Sequence, residues 1–151
     1  MSGRASLRPL LAAALLLALA GCSRLDPRVS QGYKDTAKSA LRELDNLSQK
    51  QDDLRQNWDG KSGVEQVIWT DQLEIARLMV KEAASKRKTR GDQALHGKLV
   101  AYFSALGDEG ISLVAHIPPG SPPRTQPVPE LERAADHKRK ARAALAEALR
   151  D

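Results

Sequence analysis

The sequence predicts an all-α protein: an antiparallel helical hairpin or three-helix bundle, a Pro-rich spacer and a C-terminal helix. Three observations carry this. A heptad seam runs through residues 31–58. A helix-start signature follows it at 62–65. Ala and Leu dominate the composition, while β-branched residues are few and the aromatics are only Tyr33, Trp58, Trp69, Tyr102 and Phe103. Such a composition favours helices over strands and gives a thin core.

The first element is not part of the folded body. Residues 1–9 carry Arg4 and Arg8 and no acid, and residues 10–20 contain only Leu and Ala. Gly21 and Cys22 follow. A charged start, a short apolar centre and a small-residue end make a secretory signal. The apolar run is too short to span a bilayer, which takes about 20 residues. Leu19-Ala20-Gly21-Cys22 resembles the lipobox of bacterial lipoproteins, without departures. The resemblance covers the first 23 residues. It implies cleavage between Gly21 and Cys22, so residues 1–21 are a signal peptide and Cys22 is the lipidated first residue of the mature chain. Two or more acyl chains on Cys22 would anchor the protein stably, where one would hold it only marginally. In Gram-negative members of this class an Asp after the Cys favours retention at the inner membrane. Ser23 stands there, so the resemblance implies the outer membrane, with the body facing the periplasm.

The mature chain, 22–151, suits one domain at most. Loss of Arg4 and Arg8 leaves 22 of the 24 basic side chains against 19 acidic ones, a net charge of +3. That mild excess fits a mixed solvated surface, and nucleic-acid binding would need a concentrated patch. The one cysteine is committed to lipid, so disulfides, a thiol nucleophile and cysteine metal ligation are excluded.

Residues 22–30 read as a short lipid-anchored tether, with Asp26-Pro27 a turn or helix-start pair. The helical bundle is expected over 31–117. In 31–58, Tyr33, Ala37, Ala40, Leu44, Leu47, Gln51, Leu54 and Trp58 alternate at spacings of four and three. This is a heptad seam with Gln51 as its polar interruption. Ser30 suits the N-cap and Asp35 the positive helix end. The seam fits an intramolecular bundle, with a coiled-coil contact to another protein as the alternative. Asp59-Gly60-Lys61 reads as a turn, and Ser62 with Glu65 as a capping box.

The second helix is expected from about Gly63 to Lys88. One apolar stripe holds Val64, Ile68, Ile75, Leu78 and Met79, and another holds Trp69, Leu73, Ala76, Val80 and Ala83. Two stripes call for partners on two sides, which makes this helix the expected centre of the bundle. Lys86, Arg87, Lys88 and Arg90 crowd its end, with Lys81 one turn upstream. Cations there favour the helix macrodipole and can bond its last carbonyls. Their alternative role is to bind an anionic surface.

A third helix is expected over 93–106, with Asp92 as its N-cap and Gly107-Asp108-Glu109-Gly110 as its end. Residues 111–117 fit a helical turn or an extended packing segment. Residues 118–129 hold six of the eight prolines and read as a polyproline spacer. Residues 130–151 have high helix propensity but little to bury. They form a C-terminal helix that either joins the bundle as a fourth member or settles on a partner. Asp136 and Lys140 are spaced to pair at i,i+4.

Catalytic chemistry finds little support. His96, His116 and His137 are scattered and make no HExxH pair, so no zinc site or other cofactor is expected. Ser121 lacks a GxSxG elbow. Asp52-Asp53 and Asp108-Glu109 read as solvated surface pairs rather than acid/base or calcium sites. The sequence therefore points to a non-catalytic interaction, adaptor or structural module of the cell envelope. It would be held to the membrane by Cys22 and would meet an envelope protein through helix surfaces, foremost the C-terminal helix and exposed parts of the first seam. The alternative is a binding module for an anionic polymer, peptidoglycan or lipopolysaccharide, using Lys86, Arg87, Lys88 and Arg90, with Lys138, Arg139 and Lys140 as a second cluster. An envelope hydrolase is the third and least supported class.

Overall fold

The protein is an all-α helical bundle. The computed structural model describes residues 25–56, 63–117 and 126–150, and within the second helix the side chains from Thr70 onward. The expected signal peptide and lipobox, the expected 59–61 turn and Ser62 capping signature, Trp58 of the seam and most of the Pro-rich segment lie outside those residues. The helices are α1 (Gln31–Gln56), α2 (Gly63–Ser85), α3 (Arg90–His116) and α4 (Pro129–Ala148). Side-chain contacts fix their directions. Residues 30, 33, 45 and 55 of the α1 strip meet 92, 96, 102 and 109 in that order, so α1 and α3 run parallel. Residues 45, 52 and 55 meet 142, 138 and 132, so α4 runs antiparallel to α1.

The heptad seam of α1 is buried inside the bundle from Tyr33 to Gln51, and Leu54 is half-buried. Tyr33, Ala37, Ala40, Leu44 and Leu47 are all buried, and the polar Gln51 is buried with them. Gln51 Nε2 donates to the Leu106 carbonyl at 2.8 Å, which accounts for an amide inside an apolar seam. Ser30 caps α1 as expected: its Oγ accepts from the Tyr33 N–H at 3.4 Å.

The centre of the bundle is α3, not α2. Helix α3 packs on each of the other three, while α2 packs on α1 and α3. Among the described side chains of the two α2 stripes, Ala76, Val80 and Ala83, with Leu73 beside them, reach the core. Ile75 and Leu78 of the other stripe are exposed.

Helix α3 differs from its expected form at both ends. Its N-cap is Thr89, and Asp92 is the third helical residue of a capping box. At the other end, Gly107-Asp108-Glu109-Gly110 does not stop it; the helix continues through the ambiguous segment to His116. Two glycines weaken a helix by about 1 kcal/mol each relative to Ala. Burial of Leu106, Glu109, Leu113 and Ile117 on one face offsets that local preference.

Helix α4 joins the bundle as a fourth member and starts at Pro129, one residue before the expected boundary. It buries Leu131, Ala135, Lys138 and Leu145 against α3 and α1. Leu131 forms a small second cluster with Leu113 and Ile117, while Leu145 and Leu149 enter the main core. The C-terminal helix is therefore not a free arm.

Residues 26–30 are fastened to the bundle rather than standing off it as a tether. The Asp26 carbonyl accepts from the N–H groups of Arg90 (2.9 Å) and Gly91 (3.2 Å), two donors that have no partner within their own helix. Thr89 Oγ1 donates to the Arg28 carbonyl at 2.7 Å. A Cβ on Gly91 would collide with the Arg28 carbonyl group, so only glycine admits this approach.

Candidate functional site

Three arrangements of polar side chains stand out, and the sequence singled out only one. The first joins residues 26–30 to α3. Asp92 is fully buried, and its carboxylate accepts from Ser30 N–H (2.7 Å), Ser30 Oγ (2.9 Å), Lys88 N–H (2.8 Å) and Thr89 N–H (3.1 Å). Burial alone would raise the Asp92 pKa, but these donors outweigh it and hold the carboxyl below its usual range. One turn on, Tyr33 OH and His96 Nδ1 share a hydrogen bond of 2.7 Å. Burial pushes the Tyr33 hydroxyl up to about 12 and the His96 imidazole down, so both are neutral near pH 7.

The second arrangement is an ionic cluster between α1, α3 and α4. Lys138 Nζ lies 2.6 Å from Glu109 Oε2 and 2.9 Å from Asp52 Oδ1. Arg55 reaches Asp52 (3.1 Å), Glu132 (2.8 Å) and, more loosely, Glu109 (3.5 Å). Glu109 and Lys138 are sealed from solvent. Burial raises the Glu109 pKa, opposed chiefly by Lys138. Burial also acts to raise Asp52, but bonds from Lys138 and Arg55 leave it lowered. Beside the cluster, Arg142 grips Asp45 through two bonds of 2.7 Å, and Asp45 also accepts from Tyr102 OH at 2.9 Å. A cleft of about 290 Å³ opens here between Asp45, Ser48, Asp52, Lys138 and Arg142. Its charges are already paired with one another, so the cluster connects helices rather than presenting a nucleophile or a free base.

The third is the basic end that the sequence marked. Arg87 turns back on the bundle: its Nε donates to the Ala84 carbonyl at 2.7 Å and its Nη1 to Gln93 at 2.6 Å. It closes the end of α2, as a cation there should. Lys86 pairs with Glu82 at 2.8 Å. Lys88 and Arg90 are exposed. The second basic cluster does not form. Lys138 is internal, while Arg139 and Lys140 both face Asp136, at 3.5 and 2.7 Å.

The remaining residues stay apart. His96 is buried, His116 bonds the Ser112 carbonyl at 2.9 Å, and His137 is exposed. Among the described residues, no group of three or more His, Cys, Asp or Glu side chains could hold a metal ion. Asp52 and Asp53 part company, one in the ionic cluster and the other on the surface, and Glu109 is buried where a solvated pair with Asp108 was expected. No described helix is long and apolar enough to cross a membrane. Comparison with known protein families, curated proteins and solved structures finds no match.

The pairing of Glu109 with Lys138 escaped the sequence analysis, which reads the first as solvated and the second as part of a basic cluster, although a signal was present. Each stands within an apolar seam of its own helix, and an ionisable residue in a seam calls for a buried counter-charge. The two carry opposite signs.

Proposed function

We propose that this chain is a lipid-anchored protein of the cell envelope, a non-catalytic helical adaptor or structural module facing the periplasm from the outer membrane. The observation that carries the reading is Leu19-Ala20-Gly21-Cys22 at the end of an apolar Leu/Ala run, with Ser23 after it. The described body supports it. Its polar clusters tie helices to one another, as in a protein that must hold one shape while its surface meets a partner. With the α1 seam and α4 both packed inward, partner contact is assigned to the outer faces of α2 and α3. There Ile75, Leu78, Val100, Ile111 and Val114 stand exposed.

Fractionation of cells carrying variants tests the reading. Cys22→Ala should yield an unprocessed or soluble protein. Ser23→Asp should move the protein toward the inner membrane of a Gram-negative host. Normal processing and membrane association of Cys22→Ala would overturn the lipoprotein reading. Crosslinking in intact cells then separates adaptor from polymer binder: a dominant protein partner supports the first, and glycan or lipopolysaccharide adducts at Lys86 or Lys88 the second.

A further inference from the structure

We propose that the end of the bundle formed by Leu25, Arg28, Lys86, Lys88 and Arg90 rests on the anionic phospholipid headgroups of the membrane that holds Cys22. The proposal rests on the lipoprotein reading and adds to it a contact surface and an orientation.

The attachment of residues 26–30 is the decisive geometry. Asp26 is bonded to the start of α3 through Arg90 and Gly91, and Ser30 through Asp92. The chain therefore leaves the bundle at Leu25, next to the basic loop between α2 and α3. Three peptide units separate Leu25 from Cys22, which at full extension is no more than about 11 Å. A lipid on Cys22 thus keeps this end of the body near the membrane surface. Attraction between charges and an anionic surface fades over about 8 Å at physiological salt, so a longer or detached tether would forfeit it.

The chemistry of this end suits such a surface. The Arg28 side chain is 91% exposed and that of Lys86 49%. Lys88 and Arg90 are exposed beside them. The acids paired with these cations are Asp26 and Glu82; Asp35 and Glu147, toward the same ends of α1 and α4, are matched in number by Lys34 and Arg150. Asp26 lies 4.0 Å from Arg28, and Glu82 is paired with Lys86, so the cations remain in excess. Leu25, three residues from Cys22 in sequence, is 73% exposed. An apolar side chain flanked by Lys and Arg is the pattern of a segment lying in a membrane interface. Lys50 and Lys140 serve as references, since they lie along the shafts of α1 and α4 and outside this end.

The test uses residues 22–151 coupled through Cys22, the only cysteine, to a maleimide-headgroup lipid in preformed vesicles. The coupling supplies the anchor whether or not cells acylate Cys22, so failure here is distinct from failure of the lipoprotein reading. Lysines are acetylated with a membrane-impermeant reagent and read by mass spectrometry, on phosphatidylcholine vesicles and on vesicles containing phosphatidylglycerol. Lys86 and Lys88 should be protected severalfold on the anionic vesicles, while Lys50 and Lys140 are unchanged. Raising the salt to 1 M, where the screening length falls to about 3 Å, should abolish the difference. The variant Arg28→Glu/Arg90→Glu keeps both reporter lysines and should also lose it. Equal acetylation of Lys86 and Lys88 on both vesicles would overturn the proposal. So would equal protection of all four lysines, or protection only when lipopolysaccharide or a glycan is added.

Discussion

Lys138 and Glu109 meet at 2.6 Å inside the bundle, with both side chains closed to solvent. The pair links α4 to α3, and Asp52 and Arg55 extend the link to α1. Helices α1 and α4 approach less closely than α3 and α4, and these long side chains span the gap. A buried ion pair repays its desolvation only with good geometry and added partners, so its main consequence is that neither member can be removed alone.

Glu109→Leu or Lys138→Met alone should each destabilise the bundle by about 3–5 kcal/mol, because the remaining charge stays buried. The double replacement Glu109→Leu/Lys138→Met should recover most of that loss. Urea unfolding of the four proteins forms the cycle. Additive single losses in the double variant would contradict the coupling.

Gly91→Ala should loosen residues 26–30. The new Cβ would lie 2.5 Å from the Pro27 and Arg28 carbonyl oxygens, which belong to backbone and cannot swing aside. Overpacking of this kind costs about 1–3 kcal/mol. The local signature is faster hydrogen exchange at the Arg90 and Gly91 amides, which lose the Asp26 carbonyl. Unchanged protection of those amides would contradict the docking.

Acid should weaken the fold in two stages. His96 has a depressed pKa in the folded state, so the unfolded chain binds the proton more readily. Stability is lost as pH falls below the unfolded histidine value of about 6.5. Asp92 and Asp52 are also depressed, so their contributions are complete above the ordinary carboxylate range and are lost as pH falls through it. Glu109, whose pKa is raised by burial, has the opposite sign: its ionisation detracts from stability as pH rises through its range. Stability measured against pH should therefore fall first near pH 6 and more steeply near pH 4, as these reference values imply. His96→Gln should remove the first stage and Asp92→Asn should flatten the second. A profile unaltered by either variant would contradict the assignments.

Legibility in the sequence varied with the range of the interactions. The α1 seam from Tyr33 to Gln51, the Ser30 cap and the start of α4 near Pro129 were readable because each is decided within a few residues. The continuation of α3 through Gly107 and Gly110 was not, since local propensity points to a stop and only burial of Leu113 and Ile117 keeps the helix intact. The position of α2 was misread for a related reason. Both of its stripes are apolar, and which one turns inward depends on α1 and α3. The ionic cluster joins residues as far apart as Asp52 and Lys138, and pattern within one helix cannot pair them. The basic residues at 86–90 were visible as a run; their closeness to Leu25, where the described chain begins, follows only from the docking of Asp26 and Ser30.

The central claim is that Cys22 carries lipid and begins the mature chain. The most direct measurement is the mass of the N-terminal peptide from protein purified out of bacterial membranes. The expected result is a peptide that starts at Cys22 and carries a diacylglyceryl group, with or without a further acyl chain on its amino group. An unmodified Cys22 thiol, or a mature chain that starts at another residue, would contradict the account.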